Sequence, residues 1–300
     1  MEVREARPDE LPRALELAFQ HLPATERERR WRNLAGLLAG GSCNSIGVLV
    51  LHGDAQELIG AVLCELLPGR TGLVWPPQVA AVARVDSYKD QLARKAVGWL
   101  SKHGATTLQA VLAGAETDLA SPLLRTGFVH TTSLRYLRCR LHEVVDSAPV
   151  LSPLTIEPYE RCDRGLFQAT LLRSYEGSLD CPELNGRREP RDIIAAHQAH
   201  GRHEPDFWWL IRYAGEPAGV LIAAGIPGTT GYEIAYVGVV PQMRERGVAR
   251  ETMRRALAQM RVREASEVAI TVDSRNQPAL QLYASLGFEE FDCREVYLRL

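Results

Sequence analysis

The run RERGVAR at 244–250 sets one glycine among arginines, between an apolar strand-like segment and a helix-like one. A strand that turns sharply into a helix aims unpaired backbone N–H groups and the positive end of the helix at one point, where an anion is stabilised. Gly247 tolerates a positive φ and has no Cβ to hold a phosphate away from the backbone. Val248 and Ala249 follow it, and the small Ala249 keeps the helix's first turn slim. Arg244, Glu245, Arg246 and Arg250 place net positive charge around the mouth, which suits a pyrophosphate or a sugar phosphate.

Two phosphate-binding designs are excluded by what is missing. No GK[ST] follows the glycine, which removes the lysine and magnesium ligand of a P-loop, and there is no GxGxxG to make a dinucleotide turn. What the run does fit is RxxGxA, and it resembles the Q/RxxGxG/A signature of the GNAT N-acetyltransferases, which receives the pyrophosphate of coenzyme A. The context extends the resemblance: YEIAYVGVVP at 232–241 is similar to the family's splayed fourth strand, and NQPALQLYASLGF at 276–288 to its later helix.

The resemblance implies acetyl-CoA as cosubstrate, with the backbone of Gly238, Val239 and Val240 bonding the pantetheine amides and the thioester oxygen. It implies Tyr283 as the acid that protonates the departing sulfur; an ordinary tyrosine, with a pKa near 10, stays protonated at neutral pH. Glu233 stands where family members often carry a general base, acting through a water. By the two-residue period of a strand, Glu233, Ala235 and Val237 share a face, and apolar neighbours would raise the carboxyl pKa toward the working range. Asn276 is placed to cap its helix, and the resemblance adds contact with the pantetheine arm.

These residues need a scaffold, and the order of elements supplies one twice. In the second half, strand-like Thr155 to Glu157 precedes helix-like Cys162 to Arg173 and Glu189 to His200. A hairpin of FWWLIRY and AGVLIAA, a strand from Tyr232 to Val240, a helix from Arg246 to Met260, a strand from Glu267 to Val272, a helix from Pro278 to Leu286 and a closing strand near Glu290 to Leu298 follow. The first half repeats this order: Val3 to Ala6, Leu11 to Gln20, Glu26 to Leu38, Gly47 to His52, Leu58 to Leu66, Val79 to Val85, Tyr88 to Lys102, Thr107 to Ala113, Leu119 to Arg125 and Val129 to Arg140. LLRTGF and YASLGF both close a helix with Gly-Phe, Gly127 and Gly287 standing 160 residues apart. The expected fold is α/β (α+β): two tandem GNAT-like domains, 1–143 and 152–300, each a mixed, mostly antiparallel twisted sheet flanked by helices, joined by a linker at 141–153 that carries two prolines and two serines.

At matching positions the first half lacks the chemistry. Aligning VARVDSYKDQLARKAVGWL with VGVVPQMRERGVARETMRR sets Leu92 under Gly247, and the 160-residue offset sets Glu116 at Asn276 and Leu123 at Tyr283. A leucine obstructs phosphate and donates no proton. The first domain is therefore expected to be a degenerate, structural copy.

The segment between the first strand and the hairpin shapes the acceptor site in the family, and here it is long. Asp180 and Glu183 can bind a cationic amine or simply be solvated. His197, His200 and His203 are spaced by three, but Gly201 interrupts before the third and neither an HExxH pattern nor a nearby cysteine completes a site, so no metal is expected. Cys181 is the one cysteine in a polar loop, without a base beside it to make it a nucleophile. Trp208 and Trp209, adjacent in a strand, face opposite sides, one core and the other free to line the cleft.

Whole-chain properties limit the partners. A formal net charge of −2 over 300 residues gives no general field for nucleic acid or an anionic membrane, and no apolar run is long enough to span one. With 46% hydrophobic and 24% charged residues and no leader-like start, the chain reads as a globular cytoplasmic protein. Its expected partner is a small-molecule amine, with a protein N-terminus or lysine as second choice; the rival reading is a catalytically silent CoA-binding module. Domain pairing of the family's kind can be satisfied within a monomer or in a homodimer.

Overall fold

Strand and helix periods follow one another along both halves of the chain. The computed structural model describes residues 2–28, 30–31, 45–54, 56–80, 84–141 and 153–300. The expected linker therefore lies almost entirely outside the described residues, as does the larger part of the helix expected over 26–38. The chain divides into two compact units, residues 1–131 with 294–300, and residues 132–293.

In the first unit the strands are β1 (Val3–Glu5), β2 (Ile46–His52), β3 (Leu58–Leu67), β4 (Thr71–Val74), the short β5 (Gln78–Val79) and β6 (Thr107–Ala113). β5 pairs with β3, and β4 lies parallel to β6. The outer neighbour of β6 is the end of the chain's last strand, which runs antiparallel to it from Arg294 to Arg299. Among the described residues the helices include α1 (Leu11–Ala18), α2 (Val85–Lys102) and α3 (Ser121–Arg125), and residues 24–28 and 30–31 are helical as well.

The second unit begins with Thr132, inside β7 (Val129–Arg140), and continues with β8 (Leu154–Pro158), α4 (Arg164–Ser174), α5 (Pro190–Gln198), β9 (Arg202–Tyr213), β10 (Glu216–Gly225), β11 (Tyr232–Val239), α6 (Val248–Val262), β12 (Glu267–Asp273), α7 (Gln277–Ala284) and β13 (Glu289–Arg299). Its sheet runs β8, β9, β10, β11, β12, β7, antiparallel except where β11 meets β12. β10 is buried on both faces, as its unbroken AGVLIAA run requires. Trp208 and Trp209 do face opposite sides, yet both are core. Trp208 packs with Phe167 and Ile193, and Trp209 with Phe207 and Leu257. Neither lines the cleft described below. Burying side chains of this size is worth about 2–3 kcal/mol each.

Of the strand expected from Val79 to Val85, residues 81–83 lie outside the described residues, and the described ends do not continue it. β5 ends at Val79, Arg84 takes a left-handed φ of 62°, and Val85 already begins α2. The residue that opens α2 as Gly247 opens α6 is therefore Arg84, not Leu92, which lies inside α2 and is buried. The alignment failed because the helical period begins earlier than the strand-like letters VAAVARV suggest.

Candidate acetyl-CoA cleft

β11 is bonded along its whole length to β10, but its parallel pairing with β12 covers only Tyr232, Glu233 and Ile234. Beyond Ile234 the two strands part. The gap is the head of a cleft of about 470 Å³, lined by Ala235 to Val239 on one side and Ile270 to Val272 on the other. Main-chain groups on the free edge of a strand need partners, so this edge offers hydrogen bonds to an extended ligand. The other walls come from the loop after α4 (Gly177 to Asp180), from Arg244, Glu245 and Gly247 to Arg250, and from Asn276 at the start of α7 with Ala279, Leu282 and Tyr283 on it.

β11 also carries a bulge. Ile222 faces Tyr236 and Ala223 faces Ile234, leaving Ala235 as the extra residue. The bulge breaks the two-residue period. Tyr232, Ile234, Val237 and Val239 pack toward one core, and Ala235 and Tyr236 toward the other. The expectation that Glu233 and Val237 share a face is therefore overturned.

The turn at 240–247 is built as the glycine suggested, with two changes of role. A 3-10 turn, Pro241–Met243, leads to Glu245 at φ 63° and Gly247 at φ 75°, and α6 starts at Val248. A Cβ added to Gly247 would meet no protein atom within 4 Å. Its space is left open at the helix N-terminus, as a phosphate cradle requires. Gly247, Val248, Ala249, Glu245 and Arg250 all line the cleft. Arg244 lines it too, but its guanidinium is occupied by carbonyls: Nε donates to Val239 O (3.1 Å), Nη1 to Gly177 O (3.3 Å), and Nη2 to Ser174 O (3.1 Å) and Glu176 O (2.6 Å). It fastens the loop after α4 to the end of β11. Two expected contact residues are not in the wall. Val240 is buried and spends its N–H on Ala218 O (2.9 Å), and Arg246 is exposed outside the lining.

Tyr283 is buried at 6% exposure within α7, against Phe288, and lines the cleft. Burial, aided by the charge of Asp180, pushes its phenol well above the ordinary range. Asn276 caps α7, its Oδ1 accepting from Ala279 N (3.3 Å), and lines the cleft as well.

Glu233 stands outside the cleft lining. Its Oε2 lies 3.0 Å from His200 Nε2. The contact with Glu233 raises the His200 pKa against the opposing effect of burial. His197 behaves oppositely: burial, with help from the charges of Arg188 and His200, lowers it to about 4. It sits against Tyr236 and Trp208, and its Nε2 is 3.4 Å from Tyr175 Oη. His203 stands edge-on to Trp208. Among the described residues no group of three or more His, Cys, Asp or Glu is placed to hold a metal ion.

The long loop before α5 docks through a buried carboxylate that the sequence did not advertise. Asp273, at 0% exposure, accepts from Thr132 Oγ1 (2.6 Å), Cys181 N (3.0 Å) and the backbone N–H (2.9 Å) and guanidinium of Arg275, while its own N–H donates to Asp180 Oδ1 (2.8 Å). Arg275 reaches on to Glu183 at 2.6 and 3.0 Å. Glu183 is thus bound in an ion pair, and of the two acids considered for a cationic amine only Asp180 lines the cleft. Burial pushes the Cys181 thiol up to about 12, leaving it unreactive.

In the first unit the corresponding places hold different chemistry. Leu123 is a fully buried core residue, and Glu116 is buried against His21 at 2.9 Å.

A parted parallel strand pair, a glycine turn at a helix N-terminus and a phenol in one wall define the cleft of a coenzyme A-dependent acyltransferase. Comparison with known proteins agrees. Residues 172–288 match the Acetyltransferase (GNAT) family. A mycothiol acetyltransferase of Nocardioides sp. is 30% identical over 218 residues, covering 63% of this chain and 72% of that protein. Two shorter matches, also to proteins named mycothiol acetyltransferase, span only 21% and 26% of those relatives' lengths. Among solved structures, a GCN5-related N-acetyltransferase from Sphaerobacter thermophilus superposes with TM-score 0.62 at 16% identity, covering 99% of this chain and 95% of that one. A tandem GNAT protein from the clavulanic acid biosynthesis pathway has TM-score 0.51 at 16% identity over 85% and 82% of the two chains. The chain belongs to the GNAT family and is an acetyltransferase. No helix among the described residues is long and apolar enough to cross a membrane.

Proposed function

We propose that the second unit transfers the acetyl group of acetyl-CoA directly to the primary amine of a small molecule, and that the first unit is structural. The observation that carries this reading is that the Gly247 turn, the free edge of β11 and Tyr283 line one cleft. The N–H groups at the start of α6 hold the diphosphate, and the backbone of Gly238 and Val239 holds the pantetheine arm and polarises the thioester carbonyl. Glu233 takes the amine proton. Because it stands outside the lining, it acts through a water, with His200 fixing its carboxylate. The amine nitrogen bonds to the carbonyl carbon, the C–S bond breaks, and Tyr283 Oη delivers a proton to the departing sulfur. The relatives' name favours a small acceptor over a protein one.

Gly247→Val tests the cradle. A β-branched side chain at φ 75° is strained and would fill the space left for phosphate. Acetyl-CoA affinity is expected to fall by about tenfold or more, from lost charge-assisted hydrogen bonds. Undiminished affinity in a calorimetric titration would refute the cradle.

A further inference from the structure

The second pocket of this unit, about 280 Å³, lies beside the cleft and shares Gly177 with it. One charged side chain in its lining is cationic, Arg188, and one is anionic, Glu176. Arg188 is half-buried, its Nε is shut off from solvent without a hydrogen-bond partner, and its guanidinium makes no ion pair with a described residue. Glu176 is exposed; its carbonyl is used by Arg244, and its carboxylate leaves Arg188 unmatched. The other titratable neighbours give no compensating charge. His197 is held neutral, with a pKa lowered to about 4 by burial and by Arg188, and the Tyr175 phenol is raised to about 12 by burial. A guanidinium taken from water is costly unless paired, and its planar fork suits a carboxylate or phosphate. The other arginine at this end of the cleft, Arg244, spends its donors on four carbonyls, so Arg188 stands out by contrast.

The pocket also stands on the acceptor's side. Tyr175, in its lining, packs tilted against Tyr236 of the cleft wall, with 4.8 Å between ring centroids and 42° between the planes. A small molecule with its amine in the cleft can thus extend past Gly177 and Tyr175. We infer that the acceptor carries an oxyanion, a carboxylate or a phosphate, in addition to its amine, and that Arg188 binds that group in the second pocket. This rests on the acetyl-transfer reading for the amine, but the anion site can be tested apart from it.

The test compares matched pairs that differ only by the anionic group: glycine with methylamine, β-alanine with ethylamine, γ-aminobutyrate with propylamine, and O-phosphoethanolamine with ethanolamine. For each, binding is read by saturation-transfer NMR on the full chain with and without acetyl-CoA, and turnover by thiol release. The anionic member of at least one pair is expected to bind about tenfold or more tighter than its neutral partner, and Arg188→Met is expected to erase that preference, charge-assisted pairs being worth about ten- to a hundredfold. The amino acids and O-phosphoethanolamine separate carboxylate from phosphate. Arg188→Lys, keeping the charge but not the fork, should restore part of the preference, and retained acetyl-CoA binding shows that each variant is folded. Anionic binding that depends on Arg188 without turnover of any pair supports the anion site and speaks against acetyl transfer alone. Equal binding within every pair, or a preference that Arg188→Met leaves intact, overturns the inference.

Discussion

Replacing Tyr283 with phenylalanine is expected to lower kcat by about a hundredfold or more, the usual contribution of a positioned general acid, while acetyl-CoA affinity changes by less than about twofold. Phenylalanine keeps the ring and so its packing against Phe288, where the centroids are 5.9 Å apart. Only the hydroxyl is lost. Burial pushes that phenol further above neutrality than an exposed tyrosine, so it is fully protonated at neutral pH. The matching position of the first unit holds Leu123, a core residue. Steady-state thiol release and a calorimetric titration on the same variant separate the two effects. An unchanged kcat would remove Tyr283 from proton delivery, and a large loss of affinity would mean that its hydroxyl serves in binding instead.

The parts of the fold that follow a local period were legible. The helix after Gly247, the hairpin of β9 and β10 and the Gly-Phe stops at Gly127 and Gly287, with φ of 91° and 84°, all depend on neighbours in sequence. What could not be read depends on residues brought together from afar. The bulge at Ala235 is a mismatch between β10 and β11, and it turns Val237 onto the face opposite the one that strict alternation from Glu233 gives it. The carbonyl clamp of Arg244 needs the loop after α4 to arrive beside β11, so a residue that looked free for phosphate is engaged in structure. The last strand contributes Arg294 to Arg299 to the first unit's sheet, a pairing over more than 180 residues that carries no local mark. The turn at the mouth of the cleft was legible because it is itself local: one glycine and one helix end.

Asp273 is the residue whose importance was least visible, and Asp273→Asn is expected to destabilise the protein by about 3 kcal/mol, because a buried carboxylate among four donor groups would be replaced by an amide that turns an N–H toward them. Burial acts to raise this carboxyl, but the hydrogen bonds from Arg275, Thr132 and Cys181 outweigh it and hold the pKa at about 2, below the ordinary 3.8. The stabilisation that accompanies a lowered pKa, here roughly 2 kcal/mol, is complete above the unfolded value and is lost as pH falls through the folded one. Wild type and Asp273→Asn should therefore differ most above about pH 4, and the gap should narrow toward pH 2, where the aspartic acid becomes as neutral as the amide. Urea midpoints measured across that range give both quantities. A gap that stays constant from pH 6 to pH 2 would assign the loss to shape rather than charge. No gap at any pH would mean that the loop from Ser178 to Glu183 does not depend on this carboxylate to hold its place beside the cleft.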